Sequence, residues 1–301
     1  MQELIGVGNT VKEMKKRILQ YAQCNAEVLI EGDTGVGKGV CAKLIHKNSS
    51  MHRGPFIAVN CGSISKGLVS SELFGHVKGA FTGASDNHKG YIQRARNGTL
   101  FLDEIGEMPL DAQGHLLHFL ESKEVTSVGS DRVIEVDCRV ITATNVNLKE
   151  AILNKTFRSD LFYRLNVLPL TIPTLRERVD DILPLANFFL VSHSSGRSLR
   201  FSVDAVECLN NYAWPGNVRE LKNVIRRAIV LAESEVIYPC DFALDSNSAT
   251  ERSNPANLKS KYIEQVILTH RYNISAAAKS LGISRPTLYR LMKKHNIRLL
   301  Q

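Results

Sequence analysis

The chain has 301 residues, 44% of them hydrophobic and 23% charged, with a net charge of +8. That length suggests two or three domains and allows a sizeable core, with the balance of an ordinary globular protein. No apolar run is long enough to span a bilayer, and the opening residues MQELIGVGNTVKEMKKRILQ lack the apolar segment and cleavage site of a secretory signal, so a cytoplasmic protein without a membrane partner is expected. The six cysteines, Cys24, Cys41, Cys61, Cys138, Cys208 and Cys240, form no CxxC pair and read as reduced, mostly packed thiols. His115 and His118 share a helical face without a third ligand at metal spacing, and read as helix-surface residues.

The charge is unevenly placed. Between residues 256 and 301, nine Lys and Arg face a single acid, Glu264, so the whole excess lies there. That asymmetry points to a polyanion-binding module at the C-terminus.

In chain order, VKEMKKRILQYA reads as an amphipathic helix and EVLIEGD as a strand entering a glycine-rich turn. The turn continues as Gly32-Asp33-Thr34-Gly35-Val36-Gly37-Lys38, the GxxxxGK core of a P-loop, and helix VCAKLIHKN follows. Its glycines let backbone N–H groups turn towards phosphate oxygens, the helix N-terminus faces the same anion, and Lys38 supplies a point charge. Gly39 stands where Ser or Thr would give Mg²⁺ a hydroxyl.

FIAVNC reads as the next strand. GHVKGAFTGASDN, at 75–87, is an apolar, glycine-bounded loop. Such a loop should avoid water, so Phe81 needs a partner. TLFLDE is a buried strand with Asp103 and Glu104 at its carboxyl end, where ligands of open α/β sheets bind. Asp103 can hold Mg²⁺ directly or through water, and Glu104 can polarise an attacking water. CRVITATN is a further strand. These strands between helices predict an α/β domain with a mainly parallel sheet.

After about Pro173 the strands are expected to stop, and VDDILPLANFFLVSH, SVDAVECLNNYA and NVRELKNVIRRAIVLAES read as helices of a small lid. Residues 245–257 are polar and read as a linker. NLKSKYIEQVILTH is an amphipathic helix, with Leu258, Tyr262, Ile263, Val266 and Ile267 on one side. NISAAAKSLGISRPTLYRLMKKH then gives helix, Gly282 turn and helix, a helix-turn-helix whose recognition helix spans about 285–295. Ser284 is placed as its N-cap, with Arg285 and Pro286 in the first turn. Ala277, Leu281, Ile283, Leu288 and Leu291 would form the small core. Thr287, Tyr289, Arg290, Lys293 and Lys294 are left for DNA.

ELFGHVKGAFTGA, GTLFLDEI, ATN, FRSDLFYRLNV, LRER and WPGNVREL stand in one order along the chain. In this the chain resembles the bacterial enhancer-binding proteins of the NtrC/PspF type, activators of RNA polymerase carrying sigma-54. The match runs from about Leu4 to Leu244, and a Fis-type module extends it to the end. The resemblance implies an AAA+ P-loop NTPase with a parallel sheet flanked by helices, a helical lid subdomain, and an all-α helix-turn-helix domain. The expected divisions are 1–172, 173–244, a linker at 245–257, and 258–301.

What the resemblance implies for the site is specific. ATP and Mg²⁺ are the expected cofactors, held by Gly32, Asp33, Thr34, Gly35, Val36, Gly37, Lys38, Gly39 and Val40, with Ile5 and Gly6 upstream. Asn60 resembles the switch asparagine that restrains Glu104, and Asn145 the sensor I residue. Arg158 and Arg164 resemble the pair of arginines that enter a neighbour's site, and Arg219 resembles sensor II. Such arginines imply a self-assembled ring, from dimers to a hexamer. Gly79, Ala80, Phe81, Thr82, Gly83 and Ala84 would contact sigma-54, the loop rising and falling with ATP hydrolysis. Asp131 and Arg132 lie in what resembles a second pore-facing loop.

The family usually has Glu where Gly39 stands and favours Glu at Asp33, departures that bear on metal affinity and turnover. Enhancer DNA and sigma-54 RNA polymerase are the implied partners. The pattern begins at Leu4, without the usual sensory domain before it. The expectation is a member regulated by a protein in trans, or a chain beginning after such a domain, with constitutive ATPase activity. A helicase or its loader would have no use for the GAFTGA loop, and an ATP-responsive repressor no need of Glu104 or the arginine pair.

Overall fold

In a computed structural model, which describes residues 4–244, 263, 266–267, 270, 273–281 and 285–294, the apolar runs become strands and the amphipathic runs helices. The strands are β1 (Val28–Glu31), β2 (Phe56–Asn60), β3 (Thr99–Asp103), β4 (Glu124–Thr126), β5 (Val133–Glu135), β6 (Arg139–Thr144) and β7 (Leu168–Thr171). Around them run α1 (Asn9–Ala22), α2 (Lys38–Lys47), α3 (Val69–Phe74), α4 (Tyr91–Arg94), α5 (Leu110–Ser122), α6 (Leu148–Leu153) and α7 (Ser159–Leu165).

The main sheet has the order β2-β3-β6-β1-β7, with every pair parallel. Both faces are buried, as a parallel sheet requires. Because side chains alternate along a strand, Leu29, Leu100, Leu102 and Val140 face one side, packing with Leu73 of α3, Leu116 and Phe119 of α5 and Leu161 of α7. Val28, Ile30, Phe101, Ile141 and Ala143 face the other, against Val11, Met14 and Ile18 of α1 and Cys41 and Ile45 of α2. Val11, Met14, Ile18 and Ala22 recur at helical spacing and supply the buried stripe of α1.

β7 carries Pro169 opposite Leu29 and lies at the sheet edge, where a missing N–H is tolerated. β4 and β5 form a separate antiparallel hairpin.

The chain divides into two compact units after Arg178. The second contains α8 (Ile182–His193), α9 (Val203–Asn211), α10 (Asn217–Leu231), α11 (Pro239–Phe242), α12 (Ile274–Ser280) and α13 (Arg285–Lys294). Here one expectation is corrected: strands do not stop at Pro173. β8 (Arg200–Phe201) and β9 (Val236–Ile237) pair in parallel within this unit. Two residues are too few to show a period, so neither strand is legible as a pattern.

The WPGN run makes a tight turn. Trp214 and Asn217 both take left-handed φ, and the buried Trp214 ring donates Nε1–H to Leu209 O at 2.8 Å. In the C-terminal part, Ala277, Leu281 and Leu288 of the expected small core pack with Ile263, Ile267, Ala278 and Met292, with Tyr238 against them. The linker at 245–257, Leu258, Tyr262 and the turn at Gly282 lie outside the described residues.

Candidate functional site

The phosphate-binding loop leaves β1 at Gly32. A Cβ there would stand 2.7 Å from Ile172 O, so only glycine lets the chain pass between β1 and the residue after β7. Gly37, in left-handed conformation at φ 109°, turns the chain into α2 and accepts Val40 N–H and Cys41 N–H. Lys38 is 8% exposed, and its Nζ donates to Gly32 O at 2.6 Å and Asp33 O at 3.1 Å. The ammonium is thus held at the mouth of its own loop. Arg178 Nη2 donates to Val36 O at 3.0 Å and fixes the loop from behind. Burial pushes the Cys41 thiol up to about 12, so it packs as an uncharged group under the helix start. Ile5 and Gly6 are half-buried, next to Leu4, which shares a cluster with Val36 and Cys41.

The second half of the site lies at the carboxyl ends of β2, β3 and β6. Asn60 and Asp103 are direct partners in the parallel ladder. Asp103 Oδ1 accepts the Glu104 N–H at 3.1 Å. Glu104 itself has φ 55° and ψ 47°, a left-handed backbone that costs a non-glycine residue about 1–3 kcal/mol and turns the chain sharply after the strand. Its carboxylate lies over Gly62, where a Cβ would come within 2.8 Å of Oε2 and 3.4 Å of Asn60 Oδ1. Asn60 Oδ1 meanwhile accepts Ser63 N–H at 3.0 Å. Burial, and then the Asp103 and Glu104 charges, push the neighbouring Cys61 thiol up to about 12. Asn145, just past β6, donates Nδ2–H to Thr34 Oγ1 at 3.3 Å, and Gly32 N–H bonds Thr144 O. Lys38, Asn60, Asp103, Glu104 and Asn145 are therefore gathered at one end of one sheet.

The oxygen donors at this end of the sheet, with the Asp103 carboxylate among them, would suit a hard divalent cation held partly by water. A Cβ at Gly39 would meet only Phe101 Cε1, at 3.8 Å, so the missing hydroxyl there reflects residue choice and not lack of room. Among the described residues no cluster of three or more His, Cys, Asp or Glu forms a separate metal site.

The two arginines of the FRSDLFYRLNV run are placed differently. Arg158 precedes α7 and pairs with Asp160, Nε to Oδ1 at 3.0 Å and Nη2 to Oδ2 at 2.7 Å. The bonded Arg158 holds the Asp160 carboxyl below its ordinary value. Arg164 turns instead to its own chain, donating Nη2–H to Leu120 O at 2.9 Å and lying 3.5 Å from Glu27 of the segment leading into β1. Arg219 is exposed in the first turn of α10, in the second unit.

The apolar loop folds on itself. Gly79 N–H bonds Ala84 O at 2.9 Å and Ala84 N–H bonds Phe81 O at 3.0 Å, with Gly79 and Gly83 at left-handed φ. Thr82 is exposed, Ala84 is buried, and Phe81 keeps 37% of its surface while resting edge-on against His76, centroids 5.0 Å apart. His76 bridges to both His88 and Val128. The loop between β4 and β5, which carries the exposed Asp131 and Arg132, closes on the other side: a Cβ at Gly129 would meet Ala80 Cβ at 2.7 Å. Among residues the sequence did not single out, His76 stands against Phe81, Gly62 lies under the Glu104 carboxylate, and Gln113 of α5 accepts Arg158 N–H. A histidine next to a loop, a glycine and a helical glutamine carry no periodic or motif signal, so none could be found without the fold.

For the C-terminal module, Arg285, Pro286, Tyr289 and Arg290 are exposed on α13, while Thr287 is half-buried. Lys293 and Lys294 lie on the same helix, and Ser284 lies outside the described residues.

A five-stranded parallel sheet carrying a P-loop after its first strand, an acidic pair at the end of the third, and a lid beyond defines an AAA+ P-loop NTPase. Residues 4–171 match the Sigma-54 interaction domain, 176–259 the AAA+ ATPase lid domain, and 256–295 the Fis family of bacterial regulatory proteins. The chain belongs to the sigma-54 interaction-domain family. It is 40% identical over 99% of its length to the putative uric acid sigma-54-dependent transcriptional regulator UacR of Escherichia coli, covering 54% of that protein. It is 41% identical over 97% of its length to the anaerobic nitric oxide reductase transcription regulator NorR of Salmonella dublin, covering 62% of it. The chain thus spans little more than half the length of such relatives. Among solved structures, NtrX from Brucella abortus in complex with ADP superposes with a TM-score of 0.75 at 29% identity, covering 98% of this chain and 70% of that one. NtrX in complex with ATP gives the same score. Among the described residues, no helix is long and apolar enough to cross a membrane.

Proposed function

We propose that the chain is the motor and DNA-binding portion of a sigma-54-dependent transcriptional activator that hydrolyses ATP to ADP and phosphate. The observation that carries this reading is the convergence of Lys38, Asp103, Glu104 and Asn145 at one end of the sheet of a domain that also displays Phe81. In this reading the P-loop backbone and Lys38 cradle the phosphates of ATP. Mg²⁺, held by Asp103 directly or through water, neutralises phosphate charge when bound. Glu104 orients and deprotonates the attacking water, and Asn60, beside it over Gly62, restrains that carboxylate until the γ-phosphate is sensed. Asn145 ties the end of β6 to Thr34, so a change at the phosphates reaches the middle strand of the sheet.

Arg158, exposed and paired at its guanidinium with Asp160, supplies trans charge to a neighbouring copy in a ring of up to six. Arg164 stiffens the same helix through Glu27, and Arg219 reports from the lid. The 79–84 loop meets sigma-54 through Phe81 and Thr82 and, raised and lowered with the nucleotide, converts the closed polymerase complex to the open one. The basic C-terminal helices hold enhancer DNA, with Arg285, Tyr289 and Arg290 facing outward for it.

The deciding experiment is open-complex formation by sigma-54 RNA polymerase on a sigma-54 promoter, with ATP or a non-hydrolysable analogue. Opening with ATP alone supports the proposal. Hydrolysis without opening assigns the motor a different client.

A further inference from the structure

Gln113 sits on α5 with no exposed surface, and its side chain joins two segments of the chain. Nε2 donates to Met108 O at 2.8 Å and to Thr156 O at 3.0 Å, and Oε1 accepts Arg158 N–H at 2.9 Å. Met108 closes the 3-10 turn that starts at Glu104, and Arg158 opens α7. One buried amide therefore links the end of the Glu104 turn to the backbone from which the Arg158 side chain departs. A buried glutamine is retained at a desolvation cost unless its hydrogen bonds are made, and here donor and acceptor are both used.

The next residue, Gly114, lies inside α5, where glycine is a poor helix former. Its backbone is not left-handed, so no turn demands it. A Cβ there would meet a single group, Arg158 Nη1, at 3.6 Å. The guanidinium thus lies along a bare stretch of α5, beside an open groove of about 350 Å³ lined by Leu110, Phe157 and Ser159. Its far side is held by Asp160 in a two-point ion pair. Such a pair is exposed and weak in water, and a nucleotide phosphate, with more charge and the same two-point geometry, displaces it readily.

We propose that Gln113 and Gly114 form the seat of Arg158: Gln113 fixes the backbone from which the arginine reaches the nucleotide of a second copy, Gly114 leaves its side chain room to swing, and Asp160 holds the guanidinium in a resting position. This rests on the reading that Arg158 works in trans. Gln113 is then a positioning residue for a neighbour's reaction and not for its own.

The test is subunit mixing. Gln113→Met removes the amide at nearly constant volume; its ATP turnover falls about 100-fold while nucleotide affinity stays within about twofold. Lys38→Ala subunits are inactive alone because they lack the phosphate-binding lysine. Mixed with Gln113→Met, they supply intact arginines to intact P-loops, and turnover recovers well above either protein alone. Gly114→Glu, which leaves the Gln113 bracket and the core untouched but puts a carboxylate beside Nη1, behaves in the same way and decides the matter if Gln113→Met does not fold. The control is Arg158→Ala mixed with Lys38→Ala. If that mixture recovers but neither Gln113→Met nor Gly114→Glu does, the two residues act within their own copy and the seat is rejected. If the control itself does not recover, Arg158 does not act in trans, and both readings fall together. Normal turnover in both seat variants alone also overturns the proposal.

Discussion

Gly62 and Glu104 share one space: a Cβ on residue 62 would lie 2.8 Å from Glu104 Oε2, closer than two such atoms can stand. The glutamate is already bent into place by its left-handed backbone and by the ladder pairing of Asp103 with Asn60. Its backbone is therefore fixed by the turn and the ladder, and its carboxylate lies directly over Gly62. A methyl group at residue 62 must push the carboxylate off its line. Gly62→Ala is expected to lower ATP turnover by about 10- to 100-fold, within the range a misplaced general base loses, while ATP still binds. Steady-state turnover beside a direct nucleotide titration separates the two effects.

Gly39 makes the opposite case. It sits in the first turn of α2, and an added Cβ would meet only Phe101 Cε1 at an ordinary 3.8 Å. Nothing in the backbone needs glycine there. Gly39→Ala should stabilise the chain by about 0.5–1 kcal/mol through lower unfolded-state entropy. A melting curve should move up by about 1–4 °C, with ATP binding retained.

Thr82 is exposed at the loop tip, and Phe81 leans on His76. Neither side chain touches the nucleotide machinery. Thr82→Ala is expected to leave ATP turnover within about twofold of the parent while abolishing promoter opening. Parallel turnover and open-complex assays check this, and equal loss of both would place Thr82 in the hydrolytic cycle itself.

His46 gives the fold a dependence on pH. Burial, then the charges of His52 and Arg139, hold its imidazole below the ordinary value of 6.5, and its Nδ1 meets Thr99 Oγ1 at 2.9 Å. The unfolded chain therefore takes up a proton at higher pH than the folded one. Stability from this group is full above 6.5 and is lost as pH falls from there towards the lowered folded value. Chemical unfolding at several pH values should show the parent losing stability through that window, and His46→Gln losing less.

The chain's own residues determined the architecture at the level of segments. β1, β3 and β6 were legible because each is a short apolar run buried on both faces, β2 because FIAVN is a short apolar run even at the sheet edge, and α1 because Val11, Met14 and Ile18 recur at helical spacing. The P-loop, Asp103 and Glu104 were legible because phosphate and metal chemistry demands particular residues at fixed spacing next to a strand. β7 hid behind Pro169, which only an edge position tolerates, and β8 and β9 are too short to show a period.

Tertiary structure alone decided what each side chain does with its freedom. Two arginines six residues apart on one stretch read alike as sequence, yet one lies outward on Asp160 and the other is drawn inward by Glu27 and Leu120 O. Gln113 is an unremarkable helical residue until Met108, Thr156 and Arg158 close around its amide. Gly62 and Gly114 matter through what would collide with them. The physical reason is common to all of these. Periodicity and spacing encode which face of an element is apolar, whereas hydrogen bonds and close approaches between residues far apart in the chain exist only after those faces have packed.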